Sequence, residues 1–263
     1  MRIGKGIVGG LAMMVLAAGI CAGQDAAEHL RMGDEFYARF DDVRALENYR
    51  LALEADPDNY EALWKAARAS IDIADVLDPK AKDTPAMQTK YFTEAEAFAR
   101  KAVQADPGDT WGHFYLSSAM GKRVLLLGKK EQINASREIK GIVDKALELD
   151  PENDLAWHAL GRWHRRMAEI GGAKRALGSI LYGSIPRGSM EESEQYLKKA
   201  VELHPELPIH HLELGRTFAA LGKYALAAGS FQQALDLPKI TSKDDMVKKE
   251  AAAELADVSR KIK

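Results

Sequence analysis

The chain has 263 residues but only one cysteine, Cys21, which lies in an apolar segment near the N-terminus. A single thiol excludes an internal disulfide, a zinc–thiolate site and an iron–sulfur cluster. Aromatic residues make up only 7% of the chain, whereas Leu, Ala, Glu and Lys are abundant, and this composition favours helices over a β-sandwich. The formal net charge of −2 provides no broad basic surface, so we expect no nucleic-acid partner.

Long apolar runs are also scarce, and the main one lies at the start of the chain. Arg2 and Lys5 precede an apolar stretch over residues 7–20, and small residues follow. The stretch is shorter than the roughly 20 residues that a membrane-spanning helix needs. Residues 1–22 therefore predict a cleaved signal peptide, with an uncleaved anchor as the alternative. Export follows as an expectation: to the periplasm or the cell exterior in a bacterium, with membrane association as a further option.

A short phrase recurs along the rest of the chain. It reads ALEADP where it first appears and ends at a proline five times, at Pro57, Pro107, Pro151, Pro205 and Pro238. Proline cannot donate a backbone hydrogen bond and disfavours helical geometry in the residue before it, so each phrase predicts the end of a helix. The prolines lie 50, 44, 54 and 33 residues apart. This spacing is typical of 34-residue tetratricopeptide units that carry insertions.

Residues within the units support the same interpretation. Leu160 and Gly161 in the fourth unit, and Leu214 and Gly215 in the fifth, occupy the positions where a first helix requires leucine and glycine. A glycine at a helix crossing allows two antiparallel helices to approach closely. We therefore predict an all-α fold, a right-handed α-solenoid of about five tetratricopeptide-like helix pairs with a C-terminal capping helix.

The arithmetic of the units sets the domain boundaries. The repeat domain is expected over residues 26–241, with insertions near 77–90, 125–136 and 169–190, and an amphipathic capping helix over 242–263. Pro79 and Pro85 predict a loop over residues 78–90.

A more specific resemblance is carried by LGRW at residues 160–163, LYGSIP at 181–186 and SMEESEQYLKKAVELHP at 189–205. These segments resemble the regulator of microtubule dynamics family. The resemblance implies a helical repeat protein that acts by binding. Different relatives suggest different roles: microtubule association, membrane tethering or lipid binding. The resemblance supplies no catalytic residues.

In a tetratricopeptide array the first helices line the concave face, where a partner binds. Cationic and aromatic residues recur at or beside these inner positions. The predicted ligand-binding residues are Arg68, Lys122, His158, Arg162, Trp163, Arg165, Arg166 and Arg216. Guanidinium groups bind carboxylates and phosphates through forked hydrogen bonds, so the expected partner is a protein or peptide with acidic groups, or an anionic lipid. The alternative is that these cations are solvated or paired with acids on adjacent helices.

Two features have open interpretations. Trp163 either packs under the long insertion or flanks the groove. Within that insertion, residues 171–186 either fold over the fourth helix pair or contact a membrane or partner through Ile180, Leu181 and Tyr182.

Signatures of catalysis and metal binding are lacking. The histidines do not have the three- or four-residue spacing of a helical zinc motif, and no nucleophile or dinucleotide motif is present. We therefore expect no metal, no cofactor and no enzymatic activity. The main functional hypothesis is a non-catalytic protein-binding scaffold, and the alternative is a lipid-binding or membrane-apposed tethering protein.

Overall fold

The structure, a computed structural model, describes residues 23–262 without the side chain of Tyr182, and it includes the backbone of residues 8–22 as part of the first helix. Residues 1–7 of the predicted leader lie outside the described residues, and only the backbone of its residues 8–22 is described. Within the described part the chain forms twelve helices and no strands. They are α1 (Val8–Ala38), α2 (Asp42–Ala55), α3 (Tyr60–Asp75), α4 (Thr84–Ala105), α5 (Thr110–Leu125), α6 (Lys129–Leu149), α7 (Asp154–Ala168), α8 (Gly172–Tyr182), α9 (Met190–Leu203), α10 (Pro208–Ala220), α11 (Tyr224–Asp236) and α12 (Asp244–Ser259).

The recurring phrase marks the end of each second helix, as predicted. Asp56, Asp106 and Asp150 leave the helical conformation, and each donates its backbone N–H to the alanine four residues earlier. The next helix begins within a few residues, because the side chain of Asn59 or Asn153 accepts a hydrogen bond from a backbone N–H in its first turn. A helix stop and a helix start are thus encoded in one short segment.

The helices pair in chain order. Antiparallel pairs form between α1 and α2, α3 and α4, α5 and α6, α7 and α9, and α10 and α11, and each pair contacts the next. Alanines and large apolar residues fill the space within and between pairs, with Tyr49 and Phe231 fully buried. Helix α12 packs on α10 and α11 and covers the last apolar surface. The predicted all-α solenoid of helix pairs is confirmed.

Glycines at the helix crossings explain how closely the paired helices approach. A methyl group at Gly161 of α7 would lie 2.6 Å from Leu197 Cγ of α9, and one at Gly215 of α10 would lie 2.5 Å from Phe231 Cε1 of α11. Both contacts are shorter than carbon atoms allow. The bulky partner fills the space that the glycine leaves, so the pair interlocks.

The three insertions contain more helix than the sequence predicted. The expectation of a loop over residues 78–90 is wrong for its second half, because α4 begins at Thr84 with Pro85 in its first turn. Proline is tolerated there, since the first N–H groups of a helix have no acceptor in that helix. Residues 129–136 belong to α6, and the third insertion contains α8.

Adding a single methyl group tests the crossing between α10 and α11. We expect Gly215→Ala to lower the free energy of unfolding by about 1–3 kcal/mol, because the Phe231 ring must shift in a close-packed core. Urea unfolding followed by circular dichroism measures this change.

Gly229 of α11 provides a matched control, because an added methyl group there would meet nothing within 4 Å. Gly229→Ala should raise the free energy of unfolding by about 0.5–1 kcal/mol, since alanine is the better helix former. Equal effects of the two substitutions would contradict the interlocking described above.

Candidate functional site

The concave face is formed by the first helices of successive pairs. Helix α3 contacts α5, α5 contacts α7, α7 contacts α10, and α10 contacts α12. Side chains on the inner sides of these helices therefore share one surface, although they are far apart in sequence. We call this surface the inner face.

A buried carboxylate on α10 organises one end of the inner face. The side chain of Glu213 is only 2% exposed and lies against three guanidinium groups. It pairs with Arg165 of α7, with Arg216 at 3.0 Å (Nη1–Oε1), and with Arg162 at 3.4 Å (Nε–Oε1). Burial alone would raise the pKa of Glu213, but the surrounding guanidinium charges outweigh burial and hold the pKa well below its usual range. Glu213 is therefore ionised at neutral pH.

The arginines around Glu213 do not have a full set of acceptors. Nε of Arg162 and Nε of Arg165 are buried and donate no hydrogen bond within the described part of the chain. Arg166, one helical turn beyond Arg162, is exposed and makes no ion pair with a described residue. Arg216 differs, since it also reaches Glu250 at 2.8 Å and Glu254 at 3.0 Å on α12. Arg162 and Arg166 therefore keep guanidinium N–H groups that can donate to a ligand.

A second ionic cluster joins the two ends of the solenoid. Lys243, at the start of α12, lies 2.6 Å (Nζ–Oδ1) from the buried Asp72 of α3. Tyr37 of α1 donates its hydroxyl proton to the same carboxylate at 2.9 Å, and Ser242 donates to Asp42 of α2. The residues that lead into the capping helix thus contact the first two helix pairs, and the two ends of the solenoid meet.

Two other cations of the predicted ligand-binding set lie near the contact between the two ends of the solenoid. The guanidinium carbon of Arg68 lies 3.5 Å from the centre of the Tyr37 ring, a cation–π contact. Lys122 of α5 pairs with Asp75 at 2.6 Å. Burial lowers the pKa of Lys122, and the nearby Asp75 carboxylate opposes that effect. The structure therefore pairs most of the predicted inner-face cations with acids or aromatic rings of adjacent helices.

A histidine pair lies between the two clusters. His158 of α7 and His210 of α10 are buried with their Nδ1 atoms 3.0 Å apart, and His210 Nε2 lies 2.7 Å from Asp154 Oδ2. The Asp154 carboxylate accepts a hydrogen bond from His210 Nε2–H, so in the neutral pair His158 Nδ1–H donates to His210 Nδ1. Burial lowers the pKa of both histidines; mutual repulsion adds to this effect at His158, whereas Asp154 opposes it at His210.

The two tryptophans of α7 lie in different environments. Trp163 is only 8% exposed, and its indole N–H donates to the Ser136 carbonyl of α6 at 2.8 Å. It belongs to the packing between successive helix pairs, so it is removed from the proposed ligand-binding set. Trp157 is only half-buried and packs against Tyr196 of α9.

The predicted membrane or partner contacts lie on α8, away from the inner face. Ile180 and Leu181 are exposed, and the side chain of Tyr182 lies outside the described residues.

Several residues of the site were not predicted from the sequence. Glu213, Asp72 and Lys243 are the charged partners that organise the inner face, and Asp154 orients the histidine pair. One signal was available, because Glu213 and Asp72 each lie between two apolar residues of an inner helix. A charge in that position is buried or paired more often than solvated.

Potential metal ligands do not gather in the described residues, where no group of three or more His, Cys, Asp or Glu side chains has the arrangement of a metal site. The same part of the chain contains no helix with the length and apolar character needed to cross a membrane.

The buried histidine pair predicts acid sensitivity. The unfolded chain takes up protons near pH 6.5, whereas the folded pair resists them, so stability falls as the pH decreases below about 6.5. We expect His158→Gln to reduce the slope of unfolding free energy against pH by up to about 1.4 kcal/mol per pH unit. Urea unfolding at several pH values between about 7.5 and 5 measures this slope.

The control for this experiment is His113→Gln, because His113 contacts only a backbone carbonyl near the surface. It should leave the slope unchanged. A wild-type chain whose stability does not vary over this pH interval would contradict the proposed cost of protonating the pair.

Comparison with solved structures supports the architecture. A thermophilic tetratricopeptide protein from Thermus thermophilus aligns with a TM-score of 0.61 at 17% identity, covering 88% of this chain and 99% of that protein. PilF of Pseudomonas aeruginosa aligns with a TM-score of 0.51 at 15% identity, covering 92% of this chain and 91% of that protein. At such low identities these similarities show the fold alone.

Sequence comparison is more specific. Regulator of microtubule dynamics protein 1 from Bos taurus is 28% identical over 208 residues, covering 78% of this chain and 64% of the relative. Regulator of microtubule dynamics protein 2 from Bos taurus is 24% identical, covering 86% of this chain and 54% of the relative. The chain thus spans less than two thirds of the length of these relatives.

The protein-1 relative from Caenorhabditis elegans is 23% identical, and the alignment covers 82% of this chain and 93% of that protein. A family model described as regulator of microtubule dynamics protein 1-3 matches residues 29–259, which include every helix pair and the whole inner face. The chain belongs to the regulator of microtubule dynamics protein family.

Proposed function

We propose that the protein is a non-catalytic binding scaffold whose inner face recognises an acidic segment of a protein or peptide. Its repeat architecture supports this proposal, because stacked helix pairs create an extended concave surface suited to binding. The proposal rests most directly on the shortage of acceptors around Glu213, which is shared by three guanidinium groups.

The chemistry of the ligand follows from the unsatisfied donors. Arg162 and Arg166 lie one helical turn apart on α7. Arg162 pairs only with Glu213, which it shares with two other arginines, and Arg166 makes no ion pair with a described residue. Nε of Arg68, further along the inner face, is also buried without a hydrogen-bond acceptor. Carboxylates of a bound segment would supply acceptors through charge-assisted hydrogen bonds. The accessible guanidinium N–H groups of Arg162 and Arg166 are the donors that such a segment would meet first.

The cellular location of the protein is a second part of this proposal. We propose that residues 1–22 direct the chain out of the cytoplasm, and that the mature protein meets its partner there. The composition of that segment supports this step.

The test compares arginine variants in binding to an acidic peptide. A fluorescein-labelled oligoglutamate peptide is titrated with the wild-type protein, Arg162→Ala and Arg166→Ala, and binding is followed by fluorescence anisotropy. We expect each substitution to weaken binding about tenfold, as the loss of a charge-assisted hydrogen bond implies. Glu213 keeps Arg165 and Arg216 in both variants, so the fold should persist.

Controls separate a specific site from general charge attraction. Arg31→Ala removes an exposed arginine of α1 whose ion-pair partners, Glu28 and Glu35, lie on the same helix, and it should leave binding unchanged. Arg166→Lys retains the charge but loses the forked geometry, so intermediate affinity is expected. An oligoglutamine peptide should not bind. Equal affinity of wild-type protein and both alanine variants for the acidic peptide would refute the proposal.

A further inference from the structure

Helix α8 is unusual because its apolar side faces outward. Leu177, Ile180 and Leu181 occupy one face of this helix and are 61%, 82% and 60% exposed. A surface helix of a globular protein normally turns such a stripe toward the core. These residues lie on a different surface from the inner-face arginines.

Polar anchors hold α8 in this orientation. Arg175 donates to the carbonyls of Met167, Ile170, Ile185 and Pro186, and so ties the helix to the end of α7 and to its own following loop. The other side of the helix accommodates the buried Ile185 against Gly178, where a methyl group would lie 2.7 Å from Ile185 Cδ1. Arg137 of α6 also donates to the Ser184 carbonyl at 2.5 Å. The outward apolar face is therefore imposed by specific contacts.

A second apolar segment lies at the same edge of the solenoid. Helices α5 and α7 are successive first helices, so their C-terminal ends emerge side by side. Residues Leu125, Leu126 and Leu127 at the end of α5 are exposed. We call these leucines and the outer face of α8 the apolar edge.

The charged residues beside the apolar edge are mostly basic. Residues 125–131 and 170–188 together contain five basic residues and one acidic residue, Glu131. Arg175 is used internally, and the remaining four are exposed without a carboxylate partner in the described residues. They are Lys129, Lys130, Lys174 and Arg187. Exposed apolar side chains flanked by unpaired cations are the features with which an interfacial helix binds an anionic bilayer.

We propose that the apolar edge docks on an anionic membrane surface, with Leu177, Ile180 and Leu181 inserted at the headgroup boundary and the lysines against lipid phosphates. This interaction does not require the inner face. The inner face therefore stays free for its own ligand while the protein is attached.

The experiment is co-sedimentation of the full chain with vesicles of phosphatidylcholine containing about one third phosphatidylglycerol. The triple variant Leu177→Ser, Ile180→Ser and Leu181→Ser should lose binding by a factor on the order of ten or more. Lys129→Glu with Lys174→Glu should lose it comparably, and raised salt should weaken the wild type. These side chains are exposed, so circular dichroism should show the wild-type helix content.

Leu51→Ser is the matched control, because Leu51 is a 40% exposed leucine on α2, outside the apolar edge. It should sediment as the wild type does. The proposal would be overturned if the triple serine variant bound vesicles as well as the wild type does. It would also be overturned if the wild type bound no vesicles, and the apolar edge would then be a protein-binding surface. Binding lost only with Arg162→Ala would likewise overturn it and assign the lipid headgroup to the inner face.

Discussion

Close approach within each helix pair is the constraint on which the rest of the structure depends. A lone pair cannot bury its apolar surface, so the pairs must stack, and stacking requires that the crossing helices interlock. Gly161 against Leu197 and Gly215 against Phe231 provide that interlocking in the fourth and fifth pairs. Once the pairs are stacked, the inner sides of α3, α5, α7 and α10 form one continuous surface.

Stacking creates the inner face, and ionic contacts between its helices fix the positions of its charged side chains. Arg162 and Glu213 are 51 residues apart in sequence, yet they meet because α7 and α10 are neighbouring first helices. The contact of Lys243 with Asp72 spans the whole repeat array. Because Asp72 is buried, removing Lys243 would leave an uncompensated buried charge, so the contact stabilises the junction between α12 and α3.

The sequence predicts the ends of the helices better than it predicts the ionic contacts between them. Helix ends could be predicted, because Pro57 and its counterparts act locally on the backbone. The presence of Arg162, Arg165 and Arg216 on the inner side could also be predicted from the register of the repeat. Their pairing with acids of adjacent helices could be stated only as an alternative, because the choice of partner depends on how strongly successive pairs twist.

The insertions and the tryptophans show the same limit. Proline was interpreted as a loop signal at residue 85, but it also fits the first turn of a helix, and only the packing of α4 distinguishes the two cases. Trp163 packs between α6 and α7 because a neighbouring pair happens to offer the Ser136 carbonyl. The repeat pattern of a single unit contains no information about that neighbour.

The energetic cost of the Glu213 cluster argues for a binding role. Buried ion pairs are weak stabilisers, because the loss of hydration offsets much of the attraction, and apolar residues of similar volume often serve equally well. This solenoid already has apolar cores in its stacked pairs. Glu213 is itself fully satisfied, whereas Arg162 and Arg165 bury donors without acceptors. Arg162 has only the shared Glu213 as its anionic partner, and Arg166 has none among the described residues, so the proposed external anionic ligand would complete the cluster.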